Sequence, residues 1–152
     1  MSENNVQQLE NIQAMFVQCA NGMTTTDSSI TFNGTAYSTL FFADRPQRVV
    51  GHIQTSKFVD DWGEGDNSFA ADPPNAVISF LRNGDTVPEE VTMVIRDPQL
   101  KGDSLTYKVE VLDGTLPAKA GPCSLFIDPI GRPLTPISIA GVNRRRRRRA
   151  RG

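Results

Sequence analysis

Asp44, His52 and Asp72 are the side chains whose types could do chemistry in this sequence. Two carboxylates and an imidazole can make a small hydrolase or hold a ligand. The chain has a single histidine, which excludes a His-rich zinc site. Carboxylates from Asp44 or Asp72 leave room for a mixed metal site. The plainer expectation is a histidine at a strand end, bonded to a nearby carbonyl or carboxylate. No metal or cofactor is expected.

The stretches "FADRPQR" and "FAADPPNA" surround these residues. Asp44-Arg45-Pro46 stops a strand, and Asp72-Pro73-Pro74-Asn75 imposes a rigid, extended connection. Asp44, Arg45, Arg48, Asp72 and Asn75 can form a polar corner near His52 and Trp62. One reading of the corner is a binding pocket. The preferred one is an Asp–Arg network pinning two loops, with Arg45 bridging the two turns.

"GDSL" at Gly102–Leu105 matches the name-giving motif of a family of serine hydrolases. A nucleophilic serine needs a general base within hydrogen-bond reach. No Asp-x-x-His follows Ser104, so a tight turn opening a strand is the better reading. "NGT" at Asn33–Thr35 is a glycosylation sequon, but without secretion it is only a turn. Cys19 and Cys123 have no CxxC spacing; two buried thiols are expected, and a single disulfide remains open.

The elements that must position these residues are mostly strands. "SITF", Asn33-Gly34 and "TAYSTLFF" read as strand, tight turn, strand. "RVVGHI", "AVISFLR", "EVTMVIR", "SLTYKVEV", "CSLFI" and "ISIAGV" add further strands. Val91, Met93 and Ile95 face one way. Leu105, Tyr107, Val109 and Val111 point inward, with Thr106, Lys108 and Glu110 outward. "TSKFVDDW" is one short helical segment, capped by Thr55, with Phe58, Val59 and Trp62 on one face.

Val6, Leu9, Ile12, Phe16 and Cys19 recur at helical spacing, so residues 5–20 are expected to form an amphipathic helix. Its stripe should dock on the body or on another copy of the chain. The fold class is therefore all-β: a single antiparallel β-sandwich of about 7–8 strands, an N-terminal helix and one short helical segment. The expected divisions are a helix in 1–21, a sandwich domain in 22–143 and a disordered Arg-rich tail in 144–152.

The ordered set "LFFADRPQRVVGHI", "FVDDW", "SFAADPPNAVIS" and "SLFIDPIG" resembles an uncharacterised family of small bacterial proteins. Members of that family carry an S/A-D-R-P strand end, an F-A-A-D-P-P-N-A turn and a late S-L-F-I-D strand. The resemblance runs from about Phe16 to Asp128 and implies no established activity. Several members follow a secretion leader. The N-terminal stretch here lacks a basic region and a small-residue cleavage site, so a soluble, cytoplasmic protein is expected. No apolar run approaches the ~18 residues of a membrane span.

The formal net charge of −1 hides an asymmetry. Arg144, Arg145, Arg146, Arg147, Arg148, Arg149 and Arg151 are seven of the 16 basic residues. That leaves nine basic against 17 acidic residues, a charge of −8 in residues 1–143. An acidic body with a basic tail points to an interaction arm. The expectation is a non-catalytic binding or structural module whose tail contacts a polyanion, either nucleic acid or an acidic protein surface. A protein assembly partner or a homo-oligomer fits equally. The alternative is a small hydrolase or ligand-binding protein built on Asp44, His52 and Asp72.

Overall fold

The computed structural model describes residues 14–43, 48–63, 68–82 and 84–128. Among these, ten strands make one sheet in which every pairing is antiparallel. In chain order they are β1 (Met15–Ala20), β2 (Gly22–Thr25), β3 (Ser29–Asn33), β4 (Ser38–Ala43) and β5 (Val49–Gln54). Helix α1 (Thr55–Asp60) and a 3₁₀ turn (Asp61–Gly63) follow. Then come β6 (Asn75–Phe80), β7 (Glu89–Lys101), β8 (Ser104–Asp113), β9 (Lys119–Ala120) and β10 (Cys123–Asp128). The sheet order is β5-β4-β1-β10-β6-β7-β8-β3-β2-β9.

The chain changes neighbours along this order at two kinds of place. β1 and β2 are separated by Asn21 alone, yet β1 pairs with β4 and β10 while β2 pairs with β3 and β9. β7 is long enough to serve both halves. Its residues Glu89–Val94 pair with β6, and Thr92–Lys101 pair with β8. Register shifts interrupt the β7–β8 ladder between Thr92 and Met93 and between Arg96 and Gln99. Asp97, within the second of these irregularities, takes a left-handed backbone, φ 53°, beside Pro98.

Both halves contribute to one buried cluster. Phe16, Ile78, Met93 and Leu125 come from one, and Ile30, Phe32, Leu105 and Tyr107 from the other. Phe58, Trp62 and Phe69 join it as an aromatic group. The Phe58 ring lies 5.0 Å from Phe16, and Trp62 lies 4.8 Å from Phe69 and 5.7 Å from Tyr107. Edge-to-face and tilted contacts of this kind add to the stabilisation from burial itself.

Several sequence expectations change. Met15–Ala20 is strand, so the helix expected over 5–20 does not continue through Phe16 and Cys19, and the sheet begins before residue 22. β1 lies between β4 and β10 with Met15, Phe16, Val17 and Gln18 all buried. A strand buried on both faces shows no alternation, and its apolar positions can fall at helical spacing by coincidence. Residues 1–13 lie outside the described residues. Asn33-Gly34 turns the chain, but β3 and β4 do not form the expected hairpin, since each pairs with other strands. Gly34 has φ 61°, and a Cβ there would strike the Asn21 amide, so the two crossings between halves pack against each other. Leu105 and Tyr107 are fully buried as expected, whereas Val109 is half-buried and Val111 is 41% exposed. The second half of β8 extends beyond its four-residue ladder with β3. Thr55 does not cap α1: Gln54 holds the N-cap position without a side-chain bond. The expected "ISIAGV" strand lies outside the described residues.

Candidate functional site

His52 is exposed on β5, and its Nδ1 lies 3.1 Å from Ser38 Oγ on β4. The partner is thus a hydroxyl rather than a carbonyl or carboxylate. Asp72 is exposed in the turn before β6, where its N–H donates to Ser68 O at 3.0 Å. Asn75 opens β6 and is buried. Arg48 is exposed just before β5. Asp44 and Arg45 lie outside the described residues, as do Arg144 to Arg149 and Arg151.

Of the described members of the expected corner, His52 on β5 and Asn75 on β6 lie on strands that are not neighbours in the sheet order. β4, β1 and β10 stand between β5 and β6. Among the described residues, no group of three or more His, Cys, Asp or Glu side chains is placed to hold a metal ion.

Ser104 begins β8 directly after a two-residue hairpin loop, with Lys101 paired to Ser104. Gly102, the first loop residue, has φ 61°. Positive φ at the first central position is the pattern of a type II′ turn. The "GDSL" quartet is thus a hairpin followed by the first buried residue of a strand, Leu105.

The cysteines sit on adjacent strands in opposite orientations. Cys19 pairs with Ser124 and Ala20 with Cys123. Cys19 is exposed and its Sγ lies 3.5 Å from Ser124 Oγ, while Cys123 is buried; both thiols are free. Neighbouring residues along a strand point to opposite faces, which keeps the two sulfurs from bridging. Burial pushes the Cys123 thiol up to about 11, and the nearby Cys19 adds to the shift.

The most organised polar group in the protein was not legible beforehand. Tyr107 OH donates to Gln18 Oε1 at 2.7 Å. Gln18 Nε2 donates to Thr39 Oγ1 at 3.3 Å. Thr39 and Thr55 hydroxyls lie 2.9 Å apart, and Thr55 Oγ1 donates to Ala36 O at 2.8 Å. Because the Thr55 proton goes to the carbonyl, Thr39 must be the donor between the two hydroxyls. All four side chains are buried. Each donor points the same way, an arrangement in which successive bonds polarise one another. The chain links β8, β1, β4 and α1, and it ends on a backbone carbonyl, so it has no free reactive end. Its chemistry is that of a scaffold. Burial also drives the Tyr107 phenol far above its usual range, against the opposing effect of the Gln18 bond.

No protein-family model, no curated protein and no solved structure matches the chain. No described helix is long and apolar enough to cross a membrane.

The outer side of the β5 end of the sheet carries a cluster of exposed apolar side chains. Phe42 is directly paired with Val50, and Leu40 with His52. Leu40 is 49%, Phe42 43% and Val50 73% exposed. Individual exposed apolar residues are ordinary. Here three share one face of two neighbouring strands, a grouping hidden from sequence because "LFF" and "RVV" read as core strands.

Proposed function

We propose that this protein is a non-catalytic binding or structural module that contacts a polyanion through Arg144–Arg149 and Arg151. The observation that carries this reading is the charge split: seven arginines in positions 144–151 against a charge of −8 in residues 1–143. Guanidinium groups pair bidentately with phosphate at close range. No aromatic residue interleaves with the arginines to stack on bases, so binding has little sequence preference. We further propose that the sheet closes into a two-layer sandwich. A shared core and the Tyr107–Gln18 bond between β8 and β1 support that geometry.

A salt titration of polyanion binding tests the functional proposal. If all seven arginines meet phosphates, log K should fall with log salt with a slope of roughly −5 to −6. Residues 1–143 alone should lose the binding, because an acidic body repels phosphate. Equal binding by the full chain and the truncated one would refute the reading. Binding of the tail to one protein and to no polyanion would shift it to a specific assembly contact.

A further inference from the structure

We propose that the apolar patch of Leu40, Phe42 and Val50 is the docking surface for the chain's own N-terminal segment, through Val6, Leu9 and Ile12. The first reason is where that segment enters the sheet. Met15, the first residue of β1, is paired directly with Phe42, and Phe42 is paired directly with Val50. The preceding residues therefore reach the fold at the patch itself.

The second reason is the gradient of burial across this face. Residues directly opposite one another on paired strands point to the same side of a sheet. Met15 shares the face of Phe42, and Val17 shares that of Leu40. Met15 and Val17 are each 8% exposed, while Leu40, Phe42 and Val50 are 43–73% exposed. The apolar surface thus runs on from β1 across β4 to β5, and it is the outlying part that no described residue covers well.

Size is the third reason. A helical stripe Val6-Leu9-Ile12 spans about 9 Å at 1.5 Å per residue. Leu40 and Phe42, two residues apart on one strand, are separated by about 7 Å, and Phe42 and Val50 by about 5 Å. One short amphipathic segment matches that footprint. A stable dimer asks for roughly 800 Å² from each partner, which three partly exposed side chains do not supply. A tethered segment also binds at an effective concentration that a separate molecule rarely reaches. Leu40, Phe42 and Val50 are uncharged, with Arg48 and His52 at the border of the patch, and Gln7, Gln8, Glu10 and Asn11 would face water in this arrangement.

Amide exchange in the full chain tests the proposal. Residues 6–12 should be protected, and Val50→Asp should reduce that protection by about tenfold or more, as local undocking predicts. Leu81→Asp, at another exposed apolar residue directly after β6, should leave it unchanged. The amides of β6, β7 and β8 should keep their protection in both variants, which separates undocking from unfolding. Leu9→Asp should have the same effect from the other side and should shift the NMR signals of Leu40, Phe42 and Val50. Unprotected residues 6–12 in the parent chain would overturn the proposal, as would protection indifferent to Val50→Asp. Protection that rises with protein concentration would also overturn it, because the occupant would then be a second copy.

Discussion

Tyr107→Phe removes one oxygen from the centre of the protein and changes nothing in ring packing. The phenol is fully buried and donates to Gln18 Oε1 at 2.7 Å. Without it, a buried amide oxygen is left without its donor, which costs about 1–3 kcal/mol. Flipping the Gln18 amide gives no escape. Its oxygen would then take the Thr39 proton, and Thr39 would no longer donate to Thr55, whose own proton is held by Ala36 O. Urea denaturation should show a lower midpoint at unchanged slope. The Gln18→Leu background should shrink the effect of Tyr107→Phe, since the stranded oxygen is gone; a coupling of about 0.5–3 kcal/mol is expected for groups in direct contact. pH supplies an independent check. The folded phenol ionises well above the ordinary value of about 10 because burial disfavours the anion. The neutral form is thus favoured in the folded state. Its contribution is complete below pH 10 and declines above it, once the unfolded chain ionises first. Tyr107→Phe should abolish that part of the alkaline loss. A variant within about 0.5 kcal/mol of the parent, a change typical of inert surface substitutions, would refute the claim that this bond joins the two halves of the sheet.

Leu125→Ala should cost about 2–5 kcal/mol, because the side chain is 1% exposed and its removal leaves a cavity. Val109→Ala should cost clearly less, since Val109 is only half-buried, and thermal or urea unfolding compares the two directly. With a thiol reagent at neutral pH, Cys19 should react in the folded protein and Cys123 only on unfolding; non-reducing electrophoresis should show no internal disulfide.

Strands with one buried face announced themselves. Val91, Met93 and Ile95 recur at every second position and all three are buried in β7, although Thr92 between them is buried too. Leu105 and Tyr107 behave likewise in β8. Phe58 and Trp62 kept their helical spacing because α1 and its 3₁₀ turn present one face to the core. Where both faces are buried the pattern fails, and Met15–Ala20 could be mistaken for the end of a helix. Turn chemistry was legible locally and misleading globally. Asn33-Gly34 does reverse φ, but a turn residue fixes only the local bend, and pairing partners are chosen by the rest of the sheet.

The candidate site was less legible for a related reason. Asp72, Asn75, Arg48 and His52 look adjacent because similar turn-rich motifs carry them, yet these motifs feed β5 and β6, which are not neighbours in the sheet order, and Asp44 and Arg45 lie outside the described residues. Side chains that do converge, Gln18, Thr39, Thr55 and Tyr107, come from four elements with up to 89 residues between partners. Nothing in their local spacing marks them. Tyr107 on β8 meets Gln18 on β1 although three strands stand between them in the sheet order, a long-range relation that no local pattern carries. That difference bears on function. A catalytic corner would need its groups gathered and one end left open to substrate. Here the gathered groups bond one another and end on the Ala36 carbonyl, while His52 is exposed against Ser38. The described sheet thus invests its polar organisation in joining its own halves. Chemistry directed outward is then better sought in the charge outside it, which is why the arginine run, rather than the histidine, carries the functional proposal.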